Sequence, residues 1–254
     1  MLYTISMSYR SFITSAQSFF AELAENNNRE WFLARKERYD EEISAPSKAF
    51  AGEIAEVLSN IMGRPYRAKL FRVHRDVRFS KDKSPYKTHL HMSFADGQEA
   101  QKQNKFDMQN DYPSFFCGID PGGMHVDEAL EGEGFSIKAP EFWFMIGYLG
   151  FGKERLLTYR RFIDVHGDEF THLMEKGDCM ISRFGADSYK RVPKPYAADH
   201  PHEALLRRKS LVLGREMQAA FDDGKQPMVL IQETLQTLKP LIELIDARLI
   251  KHIA

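Results

Sequence analysis

The chain has 254 residues, 43% of them hydrophobic and 28% charged, which is enough apolar material for a sizeable core and excludes a disordered polymer. Its net charge of −1 excludes a surface drawn as a whole to nucleic acid or anionic membrane, so only a local patch can do that. The two cysteines, Cys117 and Cys179, form no C-x-x-C pair, no secretory signal opens the chain, and no stretch reaches the roughly 18 apolar residues of a membrane span. A cytoplasmic protein without membrane contact is expected.

Ser15 reads as the N-cap of a first helix running to Glu25, with Phe19, Phe20 and Leu23 on its inner side. Asn26-Asn27-Asn28 breaks that helix, and Asn28 caps a second from Arg29 to about Glu42, anchored by Trp31 and Phe32. Pro46 suits the first turn of a third, where Phe50, Ile54, Val57, Leu58 and Ile61 follow at helical spacing until Gly63. Residues 69 to 79 and 86 to 94 alternate apolar and polar like half-buried strands, joined by turn chemistry at Ser80 to Pro85.

Residues 95 to 111 are polar and aperiodic, a loop. Pro113–Ile119 and Gly123–Val126 read as a hairpin around Asp120-Pro121-Gly122, and Glu141–Phe151 as a further strand. Leu156, Tyr159, Ile163, Phe170 and Leu173 describe a helix ending near Gly177. A polar stretch, 182 to 200, leads to a short helix opened by Pro201, then to a strand at Leu211–Leu213. Met228, Ile231, Leu235, Leu238, Ile242, Ile245 and Leu249 mark a C-terminal helix, which Pro240 should kink. No repeat or linker divides the chain, so one domain over 1–254 is expected. Its class is α+β: a mainly antiparallel sheet packed by N-terminal helices and a long C-terminal helix.

One segment stands apart in charge. Between Arg64 and Lys87 there are nine Lys/Arg and two acids, Asp76 and Asp82, hence +7 there and −8 in the remainder. Arg72, Arg75 and Arg78 carry planar forks suited to phosphate or carboxylate. Lys81, Lys83 and Lys87 lie in or beside the turn, where backbone N–H groups also converge on anions. Asp76 and Asp82 can orient these cations, or one can act as a base. Arg75, Arg78, Lys83 and Lys87 are the expected grip, with Arg160 and Lys194 as closers from a second basic group. The plain alternative is structural: acids of the first three helices, Glu22 to Glu56, neutralise the patch through ion pairs.

The run Phe71-Arg72-Val73-His74-Arg75-Asp76-Val77-Arg78-Phe79-Ser80-Lys81-Asp82-Lys83-Ser84-Pro85-Tyr86-Lys87-Thr88-His89 resembles the signature of the family called domain of unknown function 2461. Asn26 to Phe32, with Lys36, Tyr39 and Pro46, is similar to its N-terminal block. Tyr159-Arg160, Arg191 to Lys194, Asp199 to Pro201 and Leu206 to Ser210 resemble later blocks. Between about 95 and 150 the chain departs from that pattern, and Asp96 to Asp111 reads as an insertion. The resemblance implies an intracellular α+β protein and supplies no activity, cofactor or catalytic residue.

Other constellations weigh less. His89-Leu90-His91 places two imidazoles on one strand face, but no carboxylate or cysteine stands at a recognised ligand spacing, so no metal site is expected. No nucleophile elbow, Walker or dinucleotide glycine pattern occurs, and no cofactor is identified. Three readings stay open: a binding or catalytic site for a phosphorylated or otherwise anionic small molecule on 72–88; a nucleic-acid module in which Trp31, Phe79 and Tyr86 stack on bases; or an ion-pair network with function elsewhere, for example with a partner protein.

Overall fold

The first helix is governed by its inward stripe. Phe12, Ile13, Ala16, Phe19, Phe20 and Leu23 are all buried, so the stripe begins ahead of Ser15 and the helix with it. In the computed structural model, which describes residues 8–78, 80–97, 113–121, 141–182 and 188–250, α1 spans Tyr9–Glu25. Its cap is Ser8, whose Oγ accepts from the Ser11 N–H at 3.2 Å, and Ser15 lies within the helix. Asn28 caps α2, Arg29–Ala34, accepting from the Trp31 N–H at 2.9 Å as its sequence position predicts.

The second helix does not continue to Glu42. Arg35 departs from helical dihedrals at φ −118°, and the chain restarts as α3, Lys36–Arg38. A π-helical turn, Tyr39–Ser44, then feeds α4, Ala45–Met62. Such a turn takes one residue more than an α-turn, and here it buries Ile43. Pro46 sits in the first turn of α4, and Gly63 closes it at φ +66°, a left-handed conformation that glycine adopts without steric cost.

Six antiparallel strands follow among the described residues: β1 Tyr66–Leu70, β2 Leu90–Asp96, β3 Ser114–Asp120, β4 Glu141–Tyr148, β5 Met180–Ile181 and β6 Leu211–Glu216. They stand in the order β1-β2-β3-β4-β6-β5. Between and after them lie α5 Lys153–Lys176, α6 Glu203–Leu206, α7 Gln218–Asp222 and α8 Pro227–Ile245. This is the expected α+β arrangement. The C-terminal helix buries Ile231, Leu235, Leu238 and Ile242, as their three-four spacing predicts.

The two sheet faces differ. One carries Met92, Phe94, Phe115, Cys117, Phe142, Phe144 and Leu213 into the main core, shared with α1, α4, α5 and α8. The other carries a small separate apolar group, Phe116, Trp143, Met145 and Val212. At one end of this second face lie the groups described below.

The stretch expected as a strand over 69 to 79 is different. β1 ends at Leu70, and the described residues of 71–89 are irregular apart from one bridge between His74 and Tyr86. Alternation there is of arginines with valines, and the forks of Arg75 and Arg78 find acceptors within the loop instead of lining up beside a ladder. The strand expected over 86 to 94 begins at Leu90. β5 and α7 were not anticipated. The expected strand Gly123–Val126, residues 98–111 of the expected loop, Phe79 and Arg183 lie outside the described residues.

Candidate functional site: a basic loop beside a histidine–carboxylate cluster

Residues 71–89 leave the sheet after Phe71, whose N–H donates to His91 O at 3.1 Å, and return to it at Leu90. Two backbone bonds close the excursion: Arg75 N–H to Pro85 O at 2.9 Å and Lys87 N–H to Val73 O at 2.7 Å. Asn27, in the turn between α1 and α2, clamps it from below. Its side-chain amide donates to Tyr86 O at 2.9 Å and accepts from the Tyr86 N–H at 3.1 Å. The Tyr86 ring stacks on Phe32 at 4.1 Å and is 4% exposed, so it is core.

The arginines named as the grip are occupied by the loop's own acids. Arg78 forms a two-pronged pair with Asp76, at 2.8 Å through Nε and 2.6 Å through Nη2, with its side chain 75% exposed. This pairing holds the Asp76 carboxyl at about 2. Arg75 pairs with Asp82 and reaches Ser84 Oγ at 3.3 Å and Ser80 Oγ at 3.4 Å. The Arg75 fork, aided by Ser84, holds Asp82 well below the usual carboxylate range. Lys83 Nζ donates to Val77 O at 2.9 Å, and Lys81 is exposed.

The acids of the first helices serve their own neighbours. Arg38 takes Glu22 at 2.9 Å and Glu42 at 3.2 Å, and Lys36 takes Asp40. Arg64 is answered at 2.7 Å by Asp246, on the far side of the chain in sequence.

Lys87 differs from its neighbours. Its ammonium lies 5.2 Å from the Phe71 ring, and no carboxylate pairs with it among the described residues. Burial lowers its pKa below the ordinary lysine value, and the charges of Arg72 and Arg75 lower it further. Arg72 itself is exposed.

Two residues on, the same chain carries His89 and His91. Their rings stack at 3.9 Å. His91 Nε2 lies 2.9 Å from Asp120 Oδ1, and the Trp143 Nε1–H donates to Asp120 Oδ2 at 2.5 Å. The sheet register explains the meeting. His91 pairs with Gly118 and Gly118 with Trp143; extending the β2–β3 register by one residue sets His89 opposite Asp120. Gly118 is required between them, because a Cβ there would stand 2.1 Å from the indole. Burial lowers His89 to about 3, with the charges of His91, Lys87 and Arg75 adding to the effect, so this imidazole is neutral near pH 7. Burial raises Asp120, but His91 and Trp143 outweigh it and leave the carboxyl below its ordinary value.

Donor atoms of His89, His91 and Asp120 lie within 4.8 Å of one another, a grouping that can hold a metal ion. The His-x-His spacing gave half of this cluster. Its carboxylate comes from the end of β3, 29 residues after His91, a distance no spacing rule spans.

Arg160 and Lys194 fall in a second group. Arg160 is buried on α5, donates through Nε to Leu206 O at 3.3 Å and lies 5.0 Å from the Tyr189 ring, while Lys194 is exposed in the neighbouring 188–200 segment. Tyr189 also has Lys209 at 5.3 Å.

Among known proteins, the family model described as conserved hypothetical protein (DUF2461) matches residues 15–244, which takes in every block named above. No curated protein matches the sequence.

Proposed function

We propose a function for this chain, which belongs to the DUF2461 family of conserved hypothetical proteins: the basic loop binds a phosphorylated or otherwise anionic small molecule. The observation that carries this reading is Lys87, a partly buried ammonium whose charged neighbours are Arg72 and Arg75. A partly buried ammonium beside two guanidinium groups is repelled by them, and an anion between them removes that cost. Lys87 and Arg72 make the grip, Arg75 backs them from its fixed place against Asp82, and Asp76 and Asp82 hold the loop's shape. Arg78 and Lys83 move from grip to scaffold, since their donors are engaged within the loop.

A small anion suits the geometry better than a nucleic-acid strand. Tyr86 has no free face, and Trp31 is covered by the Arg35 guanidinium at 4.2 Å. Stacking on bases needs an open ring.

Titration with inorganic phosphate and pyrophosphate, read as the melting temperature at low salt, tests the reading. At 100 times the dissociation constant a bound ligand adds about 2.7 kcal/mol, or roughly 5–10 °C for a chain of this size. The wild type and Arg78→Ala/Lys83→Ala should show the rise, and Arg72→Ala/Lys87→Ala should lose it. Equal rises in both double variants would dismiss the site. Affinity should also fall as pH rises through the ionisation of Lys87, at a pH below the ordinary lysine value.

A further inference from the structure

The end of β3 brings a carboxylate to two imidazoles, one from the end of the loop and one from β2, and one ring nitrogen of the first makes no hydrogen bond among the described residues. His89 Nδ1 is buried and makes no hydrogen bond among the described residues. A buried polar atom left unsatisfied costs about 1–3 kcal/mol, so such an atom on a side chain of this cluster points to a guest. We infer that His89, His91 and Asp120 bind a divalent transition-metal ion, zinc being the best match to two imidazole nitrogens and one carboxylate oxygen.

The spacing supports this. With metal–ligand bonds of about 2.0–2.1 Å, tetrahedral donors stand roughly 3.3 Å apart. His91 Nε2 and Asp120 Oδ1, at 2.9 Å, are already close to that separation. The widest pair, within 4.8 Å, needs to draw in by at most about 1.5 Å. A turn of the His89 ring out of its stack on His91 supplies such a movement and breaks no hydrogen bond through Nδ1.

Trp143 completes the arrangement from outside. Its indole N–H holds Asp120 Oδ2, which fixes the carboxylate and leaves Oδ1 facing His91. Glu141, buried and paired in register with Asp120, brings a second carboxylate to the same end of the sheet.

Three protein donors leave at least one coordination position open, as in catalytic rather than structural zinc sites. Lys87 stands two residues before His89, so an anion on the open position has the ammonium beside it. That last step rests on the anion-site reading; the metal site does not.

Chelator-treated protein, titrated with zinc by calorimetry and with cobalt(II) by visible absorption, decides the matter. One equivalent should bind per chain, with the intense visible bands of a low-coordinate cobalt ion. His89→Gln and His91→Gln should each weaken binding more than about 100-fold, and Trp143→Phe, acting through Asp120, about 10–100-fold. Arg72→Ala/Lys87→Ala should still take up the metal, at least as tightly as the wild type, so retention of phosphate binding there fails the anion reading alone. Absence of uptake by the wild type, or full uptake by His89→Gln with unchanged circular dichroism, would overturn the inference. Should Asp120→Asn fail to fold, His89→Gln still decides.

Discussion

In the loop from Arg72 to Ser84 the charged groups stand in water and are answered from within a few residues: Asp76 by Arg78, Asp82 by Arg75. At the end of the sheet the polar groups come from the start of β2 and the residue before it, and from β3 and β4, and Asp120 and Trp143 are 3% and 4% exposed. Water screens the first set, so its many contacts contribute little to stability. The second set is few, dry and interlocked, and each member depends on the others. The number of contacts in a region is thus a poor guide to what the fold depends on.

The contrast can be broken from its buried side by acid. His89 is depressed to about 3 in the folded chain, against an ordinary value near 6.5. As pH falls below about 6.5 the unfolded chain takes up the proton first, so stability present above that pH is lost progressively towards pH 3. The loss should reach the order of several kcal/mol, measured by urea unfolding of chelator-treated protein across that window. His89→Gln should flatten the profile, and an unchanged slope would refute the burial argument.

A smaller effect is expected where backbone and indole touch. Gly118→Ala places a methyl 2.1 Å from the Trp143 ring, an overpacking that should cost about 1–3 kcal/mol. It should also shift Trp143 fluorescence, because the indole must leave Asp120 to make room. Wild-type stability with unchanged emission would mean that the ring does not cross over Gly118.

The exposed side should barely respond. Arg78→Ala removes a two-pronged pair, yet its melting temperature should match the wild type, since both partners stand in solvent. A clear drop would erase the distinction between the two regions.

How far these features were legible in the sequence follows the same division. Asn28 as a cap, Gly63 as a stop and the stripe on α8 are local, and each could be read from a few neighbouring residues. Ser15 misled because Ser8 offers the same hydroxyl ahead of an inward stripe that starts at Phe12. Period-two alternation from 69 to 79 misled because Arg75 and Arg78 are answered by acids of the loop itself instead of standing in a row beside a ladder. The acidic partners of Arg75 and Arg78 lie seven and two residues away, within reach of inspection, whereas Asp120 reaches His91 only through the pairing of β2 with β3. Strand register is a property of the whole sheet, and no window of sequence contains it.

Asn27 has one more implication. By meeting both the carbonyl and the N–H of Tyr86, its amide does what a neighbouring strand would do, and it does so from the turn that separates two helices. The turn and the residue preceding Lys87 are thereby mechanically one piece, although 59 positions separate them along the chain. A tilt of the first helices would travel through that amide and the Phe32–Tyr86 stack to the ammonium beside it, so the N-terminal motif block and the basic loop behave as a lever and its load.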